Sequence, residues 1–107
     1  FNQVLTRRGV PGFAWGESSV FHLILGQQAS NQQGGDLRVP EGVAAEVLKN
    51  GTTGRLAQAL QLGMINEGVD LFHGGGLLSI AHTLDDIDKT IAAFDATIGR
   101  MVEEDLF

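Results

Sequence analysis

Cysteine and tyrosine are absent from this chain, proline occurs twice and tryptophan once. Without cysteine, both a disulfide framework and a thiolate nucleophile are excluded, and a reducing, cytoplasmic compartment is the expectation. Positive charge is also scarce. Seven Lys+Arg against 13 Asp+Glu give a net charge of −6, and the basic residues are scattered, so no phosphate-tracking face of the kind that nucleic acid requires is present. Long apolar runs are missing too: Val20 to Leu25 is interrupted by His22, far short of the roughly 20 residues that span a bilayer. No partnership with nucleic acid or membrane is therefore expected.

What is present suits one packed domain, because 107 residues with 43% apolar content can bury a single core. Phe1 to Arg8 reads as a helix whose last turn carries Arg7 and Arg8 and whose cap is Gly9. The chain thus opens inside a helix and without methionine, which raises the expectation that it is a piece of a longer protein. After Val10-Pro11-Gly12, strands are expected at Phe13 to Trp15 and Ser18 to Leu25, separated at Gly16. Gly26 to Asp36 has almost no apolar content and reads as a mobile loop.

A short helix is expected from Pro40 to Lys49, and a second one through Leu56, Ala59, Leu60, Gly63 and Met64, capped by Gly68. Strands follow at Val69 to Phe72 and Leu77 to Ala81, joined by Gly74-Gly75-Gly76. Thr83 with Asp86 three residues on has the spacing of a capping box, and Ile87, Ile91, Phe94, Ile98 and Met101 form the apolar stripe of a long final helix. The fold class is α+β, a small, mostly antiparallel sheet with helices packed on one face.

Chemistry is harder to find. The glycine run lacks the P-loop lysine and the GxGxxG spacing, and a strand follows it, so it reads as a φ-permissive connection. It also permits close approach of a ligand or another backbone. His22, His73 and His82 have no carboxylate at metal-ligand spacing, and no metal is expected. His82 is placed to hydrogen-bond across the junction of strand and helix rather than to catalyse. Asp85, Asp86 and Asp88 suit the positive end of a helix. Lys49 and Lys89 have no surroundings that would desolvate a Schiff-base lysine, and no catalytic residue is identified.

The stretch EGVDLFHGGGLLSIAHTLDDIDKTIAAFDATIGRM, Glu67 to Met101, resembles the C-terminal end of class-III pyridoxal-phosphate aminotransferases, in particular the glutamate-1-semialdehyde 2,1-aminomutase branch. Glu67-Gly68-Val69, Gly76, Ser79, Ala81-His82-Thr83 and Asp86-Ile87-Asp88 carry the resemblance. Arg7 to Gly26 is similar to the entry helix and first strands of that family's small domain. The resemblance implies the C-terminal domain of a fold-type-I enzyme that works as a homo-oligomer. In that family the cofactor lysine and the aspartate that pairs the pyridinium nitrogen belong to a large domain, so this chain alone is expected to bind no cofactor.

On the same grounds, His73, Gly74, Gly75 and Gly76 are expected to line the substrate cleft, and Ser79, His82 and Thr83 to form a structural junction. Where the aminomutase has a glutamate in the turn before its strand, this chain has Gly74, which favours a related transaminase. The alternative is a stand-alone interaction module that pairs through an apolar face including Trp15 and Phe21.

Overall fold

The computed structural model describes residues 1–30 and 39–107 as one α+β unit. The expected loop at 26–36 lies outside the described residues from position 31 onward. In chain order the elements are α1 (Asn2–Arg8), β1 (Gly12–Glu17), β2 (Val20–Leu25), α2 (Ala45–Asn50), α3 (Gly54–Asn66), β3 (Gly75–Leu77) and α4 (Leu84–Glu103). The three strands form an antiparallel sheet in the order β1-β2-β3. Among the described residues, no helix is long and apolar enough to cross a membrane.

Three helices end in the same way. After α1, Gly9 takes φ 66° while Val10 N–H donates to the Leu5 carbonyl and Gly9 N–H to that of Thr6. After α3, Gly68 takes φ 83°, with Val69 bonded to Met64 and Gly68 to Ile65. After α4, Asp105 takes φ 57° and Leu106 bonds back to Met101. Each is a left-handed residue that lets the chain satisfy carbonyls left open at the helix end, and two of the three positions are glycine for the steric reason.

The core follows from strand alternation. Residues paired across β1 and β2 share a face, so Ala14, Leu23 and Leu25 point together, and they pack with Val4 and Leu5 of α1, Leu60 and Met64 of α3, and Phe94, Ile98 and Met101 of α4. Phe13 and Ile24 pair on the opposite face, also fully buried. The α3–α4 contact depends on Gly63, because a Cβ there would collide with the Thr97 side chain.

Asn2 ties α1 to the sheet. Its side-chain amide donates to the Ala14 carbonyl at 2.9 Å and accepts from the Ala14 N–H at 2.6 Å. Ala14 lies on the edge strand β1, so this buried amide occupies two main-chain groups that would otherwise offer an edge for further pairing. A second tether joins α1 to α4: Asp95 accepts from Arg8 Nε at 2.8 Å and from Arg7 Nη2 at 3.0 Å. The hydrogen bond from Arg8 is the main reason that the Asp95 carboxyl is held below its usual range.

Four expected boundaries are corrected. Gly16 does not separate the first strands; it lies inside β1 opposite Phe21, and the turn falls at Ser18-Ser19, where Ser18 takes φ 55°. The first short helix begins at Ala45 rather than Pro40, because Gly42 at φ 75° is incompatible with a right-handed helix. Val69 to Phe72 is not a strand: only Phe72 makes a bridge, to Gly75. The last strand is Gly75–Leu77, not Leu77 to Ala81, because local bonds bend Ser79 to His82 out of the sheet direction.

Replacing Asn2 with Ala leaves two buried Ala14 groups without partners and is expected to cost about 2–3 kcal/mol, read from urea unfolding, whereas exposed Gln3→Ala should change stability by less than about 0.5 kcal/mol. Asp95 adds a pH signature. A depressed folded pKa contributes stability above the unfolded value, near 3.9 for aspartate, and that contribution is lost as the pH falls through the folded value. The stability difference between the wild type and Asp95→Asn should accordingly be constant at neutral pH and disappear in acid.

Candidate functional site

The hairpin that joins Leu71 to β3 places the glycine run. Phe72 and Gly75 exchange both main-chain hydrogen bonds, at 3.1 and 3.0 Å, which leaves His73 and Gly74 as a two-residue turn. Both have positive φ, 50° and 73°, the backbone of a type I′ hairpin turn. Glycine accepts this conformation freely, and histidine is among the side chains that tolerate it. The Gly74 carbonyl then accepts from Leu23 N–H at 2.9 Å, which locks the turn onto β2.

Gly75 and Gly76 serve a different geometry. They pair with His22 and Phe21, and a Cβ on Gly75 would run into the Phe21 carbonyl oxygen, while one on Gly76 would run into the Phe21 ring. Beyond β3, Thr52 takes over the edge of β2: its hydroxyl accepts from Leu25 N–H at 2.9 Å and donates to the Leu23 carbonyl at 3.1 Å.

The hairpin therefore divides two clefts. The larger one, about 1070 Å³, is bounded by His73, Gly74, Trp15, His22, Lys49 and Thr52, with the first turns of α3 as its further wall. Trp15 and His22, opposite each other in β1 and β2, stack at 4.8 Å with a 28° interplanar angle. No aspartate or glutamate belongs to the described lining. The indole Nε1 of Trp15 is buried and has no hydrogen-bond partner among the described residues. The smaller cleft, about 440 Å³, lies on the other side, with Gly75, Gly76, Phe21, Phe72, His82 and Ile91 among its walls.

Ser79, His82 and Thr83 form a local network at the entry to α4. Ser79 N–H donates to His82 Nδ1 at 2.9 Å, and His82 N–H returns to the Ser79 carbonyl at 3.1 Å. Thr83 caps the helix reciprocally: its hydroxyl accepts from Asp86 N–H at 3.2 Å, and the Asp86 carboxylate accepts from Thr83 N–H at 2.7 Å. The Thr83 N–H, followed by its hydroxyl, keeps the Asp86 carboxyl below its usual range. These bonds tie Ser79 to His82 and Thr83 to the start of α4.

The structure thus brings His73 and Gly74 to one cleft and Gly75 and Gly76 to the other. It adds Trp15, His22, Lys49 and Thr52, which come from three separate stretches of the chain and which sequence patterns did not gather. The alternation of β1 and β2 was readable, but the register that sets Trp15 on His22 was not. Scanned against protein-family models and compared with characterised proteins, the chain matches none.

A pyridoxal-phosphate site needs a lysine for the Schiff base and an Asp or Arg partner for the pyridinium nitrogen. Lys49 is the one lysine of the larger cleft, and neither Asp nor Arg belongs to its described lining. The described lining of the larger cleft does not fit that cofactor.

The two halves of the glycine run are expected to respond differently to alanine. Gly74→Ala adds a side chain at φ 73° with no neighbour closer than 3.9 Å, so it should cost about 1–2 kcal/mol. Gly75→Ala must displace the β2 backbone and should cost about 2–3 kcal/mol, visible as a lower thermal midpoint and loss of amide-exchange protection at Leu23.

Proposed function

We propose that this chain is the small C-terminal domain of a larger pyridoxal-phosphate aminotransferase related to the glutamate-1-semialdehyde aminomutase branch. In that role it would contribute one wall of the substrate cleft through His73 to Gly76 and cover the cofactor-binding domain. The lysine and carboxylate that engage the cofactor would come from that large domain.

One observation carries this reading beyond the motif. Within the stretch that resembles the family, the apolar side chains of the hairpin and the helix entry are turned out to solvent: Phe72 is 66% exposed, Leu84 82%, and Ile80 completely. Leu77 and Leu78 are exposed beside them and border or adjoin the smaller cleft. Apolar side chains exposed along one stretch support a surface that another domain or chain would cover. The Ser79–His82 turn and the Thr83 cap hold it in place without using it for the core.

The test uses two proteins, the complete product of the reading frame that encodes this segment and the 107-residue chain alone. The complete product should carry a borohydride-reducible pyridoxal-phosphate chromophore and transfer amino groups. The chain alone should form no stoichiometric aldimine and should self-associate in sedimentation, and Ile80→Asp with Leu84→Asp should return it to monomer. A stoichiometric adduct at Lys49 or Lys89 with turnover by this chain alone would overturn the proposal, as would a complete product without the cofactor.

A further inference from the structure

We infer that the larger cleft is a binding site for a small organic anion that carries a planar ring, an aromatic carboxylate or phosphate. The inference concerns the described chain alone and stands independently of the aminotransferase reading.

Charge segregation is the first support. Acidic residues outnumber basic ones 13 to 7 over the whole chain, yet the cleft wall holds Lys49, His22 and His73 and no described carboxylate. Asp70, which accepts from the Gln61 side chain at 2.7 Å, is itself outside the lining. A chain of net charge −6 repels anions at long range, so an anion held here is held by local donors. Among the described residues, no carboxylate lines the cleft to receive a cation.

Shape and aromatic surface narrow the class. About 1070 Å³ of open space is at the upper end of small-molecule sites, which run from roughly 300 to 1,000 Å³. The stacked Trp15–His22 pair supplies a flat, half-buried π surface in a cleft that Lys49 also lines. Trp15 Nε1–H is a buried donor without an acceptor among the described residues, a cost that a ligand oxygen reaching the indole would remove; the residue itself borders both this cleft and another beside Phe1 and Val20. The turn is built independently of any ligand, since Gly74 is anchored on Leu23 and Thr52 on β2.

Trp15 is the only tryptophan of the chain and lines both of these clefts, so its emission reports binding without labelling, and amide shifts assign that binding to one side. Titration with benzoate and with phenyl phosphate should quench or shift that emission saturably. One or both should bind at least about tenfold more tightly than neutral benzamide and non-planar cyclohexanecarboxylate, a difference of about 1.4 kcal/mol. The stronger of the two identifies the anionic group. Lys49→Gln, and His73→Asn with a residue that tolerates positive φ, should each weaken binding about fivefold or more with an unchanged far-UV spectrum. As a readout that needs no variant, amide shifts in the wild type should move at Gly74 and Thr52. Equal binding of benzamide, no saturable binding of either anion in the millimolar range, or shift changes confined to the smaller cleft would overturn the inference.

Discussion

Strand β2 is approached on both sides by glycine, and the rest of the molecule is arranged around that closeness. Gly16 of β1, Phe21 of β2 and Gly76 of β3 stand in one row across the sheet. A Cβ at Gly16 would meet the Val20 carbonyl, and one at Gly76 would meet the Phe21 ring. Gly16 thus lets the β2 backbone approach closely, while Gly76 leaves room for the Phe21 ring, which covers its backbone and recovers part of the packing that glycine forfeits. Phe21 in turn stacks on Phe1 at 5.3 Å, and Phe1 meets Phe94 edge-on at 4.9 Å. The glycine row is therefore linked through three rings to the centre of α4.

From that row the two faces of the sheet diverge in use. The face of Ala14, Leu23 and Leu25 is filled by helices, and it is dry. On the other face, Phe13 and Ile24 are buried while Trp15 and His22, one alternation further on, are only half-buried and border the larger cleft. Strand periodicity makes this possible: moving two residues along a strand keeps the face and changes the depth. The type I′ turn then carries His73 and Gly74 to the same cleft, and the following two residues to the opposite side.

Polar groups divide in a parallel way. The Asn2 amide, the Thr52 hydroxyl and the Thr83–Asp86 pair all close main-chain groups at the end or edge of an element. Each is satisfied within the chain. Lys49, His73 and the Trp15 indole are not used in this way among the described residues, and the three residues border the larger cleft. The apolar side chains of Phe72, Leu77, Leu78, Ile80 and Leu84 are likewise left outside the core.

Local sequence determined the parts whose physics is local. Gly9 and Gly68 mark helix ends because the left-handed residue of a helix cap is steric in origin, and Thr83 with Asp86 marks a helix start because both partners of the capping box lie within four residues. Of the stripe Ile87, Ile91, Phe94, Ile98 and Met101, the last three lie on the buried face while Ile91 is exposed, and the α+β class followed from the order of elements. Tertiary structure decided where strands stop and what the clefts contain. Gly75 and Gly76 read as a connection until their pairing with Phe21 and His22 made them strand, and Gly16 read as a break until Phe21 was seen to lie opposite it. Trp15, His22, Lys49 and His73 meet only because strand register, the Thr52 tether and the His73–Gly74 turn superpose distant stretches, and no spacing along the chain encodes that superposition.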